Sequence, residues 1–297
     1  MDINAGMVKD LRECTGAGMM DCKKALQESD GDMDAAIDLL RTKGLAALAK
    51  KAGRATNEGL IGASVSSDAH IGVLAEVNCE TDFVARNADF KAFVDQITEH
   101  VVVAAPADVE GLMSQEFADS GEPFEQVLGE TVGRIGENMG VARFVRYELE
   151  AEHGRVSVYI HGVGNIGVMV ELTASSADAA SSDLCATAAK DVAMQIAATS
   201  PLAVSRDSID QATVDHEMEI YKAQAAESGK PEPIQEKIAQ GRLQKYFKEV
   251  ALIEQAFVKD SDISVGKYIE NTGKELGATL EVTRFERFLL GESSDSK

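Results

Sequence analysis

The sequence predicts an α+β protein: a three-helix head, a core of two repeated α+β halves with antiparallel sheets, and a protruding antiparallel helical hairpin. Three observations carry this. Over residues 1–44 apolar side chains recur at three- and four-residue spacing between turn signals. Further on, HIGVLAEVN (70–78) and NIGVMVELT (165–173) align at an offset of 95, with Ile71/Ile166, Gly72/Gly167, Val73/Val168 and Glu76/Glu171 identical. Finally, residues 208–250 hold two apolar stripes on either side of GKPEP (229–233).

In the head, Val8 and Leu11 share one face of a first helix, which TGAG (15–18) breaks. Met19, Cys22, Ala25 and Leu26 line a second, which SDGD (29–32) ends. Asp32 is placed to cap a third, on which Met33, Ile37 and Leu40 recur at i, i+4 and i+7. A bundle this small has a marginal core and is expected to gain stability by docking. Residues 39–57 contain no acid but carry Arg41, Lys43, Lys50, Lys51 and Arg54, and read as an Ala-rich helical linker.

Each copy of the repeat is preceded by a second strand-like run, LIGASVS (60–66) and RVSVYIHG (155–162), and followed by a helical pattern ending at Pro106 or Pro201. That makes each half an antiparallel hairpin with a helix on one face. Between the halves, 123–138 reads as a helix and 141–150 as a strand. In the hairpin region Val214, Met218, Tyr221 and Ala225 form one stripe. Ile234, Ile238, Leu243, Tyr246, Phe247 and Val250 form the other, and the two are expected to satisfy each other. A helix (VGKYIENTG), a closing strand and a polar tail complete the chain. The expected divisions are 1–54 for the head and basic linker, 55–150 and 151–207 for the two halves, 208–250 for the hairpin, and 251–297 for the return to the core.

The 297 residues carry a net charge of −21. A surface so acidic repels phosphate backbones, which argues against direct nucleic-acid binding. Residues 1–54 hold nine acids and nine bases, so the whole excess lies on the body. No apolar run is long enough to span a membrane, and the N-terminus shows no secretory pattern. The four cysteines are widely separated without metal spacing, as expected for free thiols in the cytoplasm. Nucleotide-binding, zinc-protease and hydrolase motifs are missing, the histidines do not cluster, and 50 acids make carboxylate pairs uninformative. The expectation is therefore a binding protein without cofactor, metal or catalytic residues. Two rival classes stay open on this reading: a peptide-binding adaptor built on the head, and a hydrolase using paired carboxylates.

Two stretches stand out as binding elements. TGAGMMDCKKAL (15–26) sets Met19, Met20 and Lys23 after a Gly-rich turn. Methionine suits both a small core and an adaptable recognition surface. NCETDFVARN (78–87) places Asp82 and Phe83 at a strand-to-helix corner. They serve either as N-cap and hydrophobic staple of the following helix, or as an aromatic wedge with a carboxylate beside it. Arg86 and Asn87 are positioned to brace the loop. At the offset of 95 the second half has Ala177 and Asp178 instead, so the pair does not recur in kind.

These segments, with VKDLRECTGAGMMDCKKAL (8–26), DGDMDAAIDLLRTKG (30–44), KKAGRATNEGLI (50–61), EVNCETDFVARN (76–87), RIGENMGV (134–141), HGVGNIGVMV (161–170) and residues 228–258, make the chain similar over nearly its whole length to the elongation factor Ts family. The resemblance implies a ubiquitin-associated-like head and a protein that exchanges guanine nucleotide on elongation factor Tu without making bonds. It implies that Thr81, Asp82, Phe83 and Val84 enter the partner's nucleotide-binding domain, disturb its magnesium site and release GDP. It further implies that Met19, Met20 and Lys23 touch a helix of that domain, and that His161 reaches a different domain of the partner. The hairpin's role stays open between partner contact, a homodimer or 2:2 complex, and another partner. Two departures are visible. Some members carry a helix after the last strand, whereas this sequence ends at GESSDSK, so contacts from such a helix are not expected. Glu80 stands where members vary and is expected to add a charge near the wedge.

Overall fold

The computed structural model describes residues 3–15, 17–118 and 120–292. Helices and antiparallel sheets are mixed along the chain. Helices α1 (Ala5–Thr15), α2 (Met19–Glu28) and α3 (Met33–Lys51) form the head around Val8, Leu11, Cys22, Ala25, Leu26 and Ala36. Gly16, in the turn expected at 15–18, lies outside the described residues. Asp32 caps α3 through a hydrogen bond from the Ala35 N–H at 3.0 Å.

Two expectations for the head are corrected. Met19 does not join the buried stripe, because α2 starts there and its first turn projects beyond the bundle. Residues 39–57 are not a separate linker, because α3 continues unbroken to Lys51. It packs on helix α7 (Phe124–Ile135) at Gly44 and Gly129, where a Cβ added to Gly129 would lie 3.1 Å from the Gly44 carbonyl carbon. The basic side chains anchor this contact. Arg41 pairs with Glu122 at 2.7 Å, and Lys51 Nζ donates to the Val132 carbonyl at 3.2 Å.

The first sheet has the order β1 (Glu58–Val65), β2 (Ile71–Cys79), β3 (Met139–Glu148). Between β2 and β3 run α4 (Asp82–Ala85), α5 (Ala88–Ala104), α6 (Val109–Ser114) and α7. Phe90, Phe93, Phe117 and Phe124 pack together between α5, α7 and the sheet. The second sheet has the order β4 (Gly154–His161), β5 (Ile166–Ala174), β8 (Leu280–Leu289). Helices α8 (Ala177–Ser181) and α9 (Asp183–Thr199) follow β5. Then come α10 (Gln211–Ala226), α11 (Glu232–Val250), the short strands β6 (Ala256–Phe257) and β7 (Asp260–Ser264), and α12 (Val265–Glu275).

The central strands β2 and β5 are buried nearly throughout, because helices cover one face and the other sheet covers the second. Ile61, Leu74 and Tyr147 of the first sheet meet Val156, Met169 and Phe288 of the second. The buried carboxylates of Glu76 and Glu171 each accept from an arginine on the third strand at 2.9 Å, Arg143 and Arg284 respectively. Each arginine then stacks on the opposite sheet, Arg143 over Phe288 at 4.0 Å and Arg284 over Tyr147 at 4.2 Å. Two backbone bonds close the seam, from Ile61 N–H to the Gly164 carbonyl and from Val156 N–H to the Ala69 carbonyl.

The hairpin helices are rooted by Phe247, which is buried beneath the Arg206 guanidinium, itself paired with Glu254. The expectation that their stripes satisfy each other is corrected. Ala225, Ala239, Leu243 and Phe247 are buried, but Val214, Met218, Tyr221 and Tyr246 are half-buried and Ile234 is 45% exposed. Two helices alone can cover only their facing sides. Among the described residues no helix is long and apolar enough to cross a membrane.

Candidate functional site

The site is built where β2 ends. Beyond Cys79 the chain turns into the single-turn helix α4, and Thr81 is its N-cap: its Oγ1 accepts from the Val84 N–H at 3.4 Å. This corrects the expectation that Asp82 caps a helix. Thr81 takes that position because its backbone is still extended, while Asp82 is already helical. The following helix, α5, is capped by Asn87, which accepts from the Asp89 N–H at 2.8 Å. Asp82 instead forms an ion pair with Arg86 one turn on, at 3.1 Å.

The four-residue helix has two faces. Val84 and Ala85 enter the hydrophobic core of the first half. Phe83 points away and is 81% exposed, so it staples nothing. The second half shows that the corner does not require it. Helix α8 is capped at the equivalent position by Ser176, and α9 by Ser182, as α5 is by Asn87. The cap is repeated in kind, whereas Phe83 corresponds to Asp178. Leaving an aromatic ring in water forfeits roughly 2–3 kcal/mol of burial.

The corner is held rigidly. Glu137, just after α7, accepts from Thr81 twice, from the N–H at 3.0 Å and from Oγ1 at 2.7 Å. The Thr81 carbonyl accepts from the Cys79 thiol at 3.2 Å and from the Ala85 N–H at 3.2 Å. Glu80 brings a charge next to the corner, but that charge is paired. Its carboxylate turns back to accept from the Asn138 N–H at 2.6 Å and from Arg54 at 3.2 Å. The Asn138 amide, and after it Arg54, hold the Glu80 carboxyl below the usual carboxylate range. Burial pushes the Cys79 thiol up to about 12, so it stays protonated. Glu137 was visible in RIGENMGV (134–141), but nothing local marks it, since its partner lies 56 residues away.

Met19 and Met20 are 59% and 61% exposed, side by side in the first turn of α2, and Lys23 is exposed one turn on. Neither methionine fills the core. His161 is exposed at the end of β4, with Nδ1 3.0 Å from Tyr159 Oη. Among the described residues no hydrogen bond or ion pair joins these two places to α4. The head is nevertheless tied to the corner, because Arg54, in the turn after α3, pairs with Glu80. Among the described residues there is no group of three or more His, Cys, Asp or Glu that could hold a metal.

A family profile described as Elongation factor TS matches residues 80–292. The Elongation factor Ts of Trichlorobacter lovleyi is 48% identical over 298 residues, covering 100% of this chain and 95% of that protein. Those of Clostridium kluyveri and Clostridium perfringens are each 49% identical, over 296 and 295 residues, covering 99% of this chain and 95% of each relative.

Proposed function

The chain belongs to the elongation factor Ts family, and on that premise we propose that it is a guanine nucleotide exchange factor acting on elongation factor Tu during translation elongation in the cytoplasm. A nucleotide's hold on a G domain rests on amides that cradle its phosphates and on a magnesium ion bridging phosphate oxygens. An exchange factor binds the empty G domain more tightly than the loaded one. Linkage then requires that it weaken nucleotide binding by the same factor. That task needs a rigid, exposed element that occupies space in the partner. It needs no bond-making residues.

The observation that carries this reading is Phe83, 81% exposed on a helix whose next two side chains, Val84 and Ala85, are buried in the core and whose cap, Thr81, is held by Glu137. Phe83 acts as the wedge, Val84 and Thr81 fix its direction, and Asp82 brings a carboxylate toward the magnesium site. The three-helix head, read as ubiquitin-associated-like, docks through Met19, Met20 and Lys23. His161 makes a second contact from the other half of the core. The incompletely covered hairpin, with Ile234 at its outer end, supports self-association into a homodimer or 2:2 complex.

Phe83→Ala tests the reading. Truncating an interface anchor costs about 2 kcal/mol or more, roughly thirtyfold in rate. We expect GDP release from elongation factor Tu to slow by at least that factor while the melting temperature stays within about 2 °C, since little burial is lost. Normal release, or loss of release only in proportion to unfolding, would return Phe83 to a structural role.

A further inference from the structure

We propose that Glu137, with Glu80, is a positioning residue for the exchange step: two crossed carboxylates lock the α4 corner to the end of α7, so that Phe83 and Asp82 are presented in one fixed direction. The inference rests on the exchange reading above.

The crossing is reciprocal. The side chain of residue 80 accepts from the backbone of residue 138 at 2.6 Å, and the side chain of residue 137 accepts from the backbone of residue 81 at 3.0 Å. Asn138 adds a third tie, donating through Nδ2 to the Arg54 carbonyl at 2.9 Å. Hydrogen bonds to a carboxylate are shorter and stronger than neutral ones, and two to one residue fix direction as well as distance. The lock joins three places: the corner itself, the end of α7, and the turn after the helix that carries the head.

The second half acts as a control for what the fold alone requires. There α12 ends in ELGATL (275–280), as α7 ends in RIGENM (134–139). Both stretches turn on a left-handed glycine, Gly136 at φ 92° and Gly277 at φ 65°. At the position of Glu80, Ser175 Oγ accepts from the Thr279 N–H at 3.0 Å, so that half of the crossing is kept. At the position of Glu137 stands Ala278. Ser176 still caps its helix. A corner of this shape therefore closes without the second carboxylate. Glu137 is present only where the helix carries an exposed aromatic. Its two bonds constrain Thr81, directly before Asp82 and Phe83, which is what a wedge pushed into a partner demands.

Glu137→Ala reproduces the second half's residue, and Glu137→Gln keeps the shape while losing one acceptor. GDP release from the partner GTPase is measured against the concentration of each variant. Misplacing a reacting element by about an ångström costs up to about a hundredfold, and a helix freed at one end supports an expected drop of about tenfold in maximal release rate for Glu137→Ala. Glu137→Gln is expected to fall between. The half-saturating concentration should stay within about twofold, because the head and His161 supply the docking. A folded Glu137→Ala protein with an undiminished maximal rate would overturn the proposal, as would a loss confined to the half-saturating concentration.

Should the variants not fold, amide exchange of the unmodified protein decides the same point. The Thr81 N–H should be protected as strongly as the β2 amides. Exchange at a surface-loop rate would contradict the lock. If the unmodified protein itself leaves GDP release unchanged, the exchange reading fails, and this second measurement still reports on the lock.

Discussion

Thr81 has every polar atom engaged, and its neighbour Phe83 has its ring in water. That contrast within three residues defines the site at the finest scale. Sequence spacing admitted both a staple and a wedge. The ring's exposure removes the staple, and the divergence at Asp178 is in keeping with that; the wedge is the role proposed for it. The choice of cap was not legible, because Thr81 and Asp82 both have capping side chains and only the backbone angle separates them. Glu137 was not legible for a different reason: a partner 56 residues distant leaves no periodic trace. Cysteine chemistry gives an independent residue-scale test. Cys79 and Cys185 are buried with raised thiol pKa values, Cys22 is buried, and Cys14 is exposed. At pH 8 a thiol reagent should label one cysteine, Cys14, in the folded protein and all four in guanidinium. Rapid native labelling of Cys79 would show that the α4 corner opens.

At the scale of elements, α3 is the piece that sequence reading misjudged. An Ala-rich, acid-free run has the composition of a linker, and its close contact with α7 depends on two glycines that meet only in space. Gly129→Ala should therefore be costly, although alanine is the better helix former. The added methyl meets the Gly44 backbone, which cannot move aside as a side-chain end does. Overpacking of this kind costs about 1–3 kcal/mol, readable as a lower urea midpoint with an unchanged slope. A midpoint at or above that of the unmodified protein would mean that α3 does not seat on α7 as described. The same contact argues against removing residues 1–54 to test the head, since that would uncover α7. Met19→Ala with Met20→Ala leaves the packing intact. It should raise the half-saturating concentration for GDP release severalfold, by more than it lowers the maximal rate.

Across the whole molecule, the two sheets close on each other through equivalent positions. The central strand of each sheet was legible in the sequence; the seam was not, because Gly72 and Gly167 give no hydrophobic signal. They are the points of closest approach. A Cβ on Gly72 would lie 2.4 Å from Val156 Cγ1, and one on Gly167 would lie 2.3 Å from Ile61 Cγ2. Either glycine changed to alanine should cost about 2 kcal/mol, close to the middle of the range for overpacked cores, in a denaturant titration. Two nearly neutral substitutions would mean that the sheets do not pack as closely as described. This seam also fixes His161 relative to Phe83, since the turn that follows His161 bonds to β1 through Gly164.

The most direct test of the account uses the intact protein. Elongation factor Tu loaded with labelled GDP is mixed with excess unlabelled nucleotide and a substoichiometric amount of this protein. Loss of label should accelerate in proportion to the protein added, while the final distribution between GDP and GTP stays where it lies without it, because a catalyst of exchange alters no equilibrium between nucleotides. A release rate unchanged at micromolar protein would contradict the account.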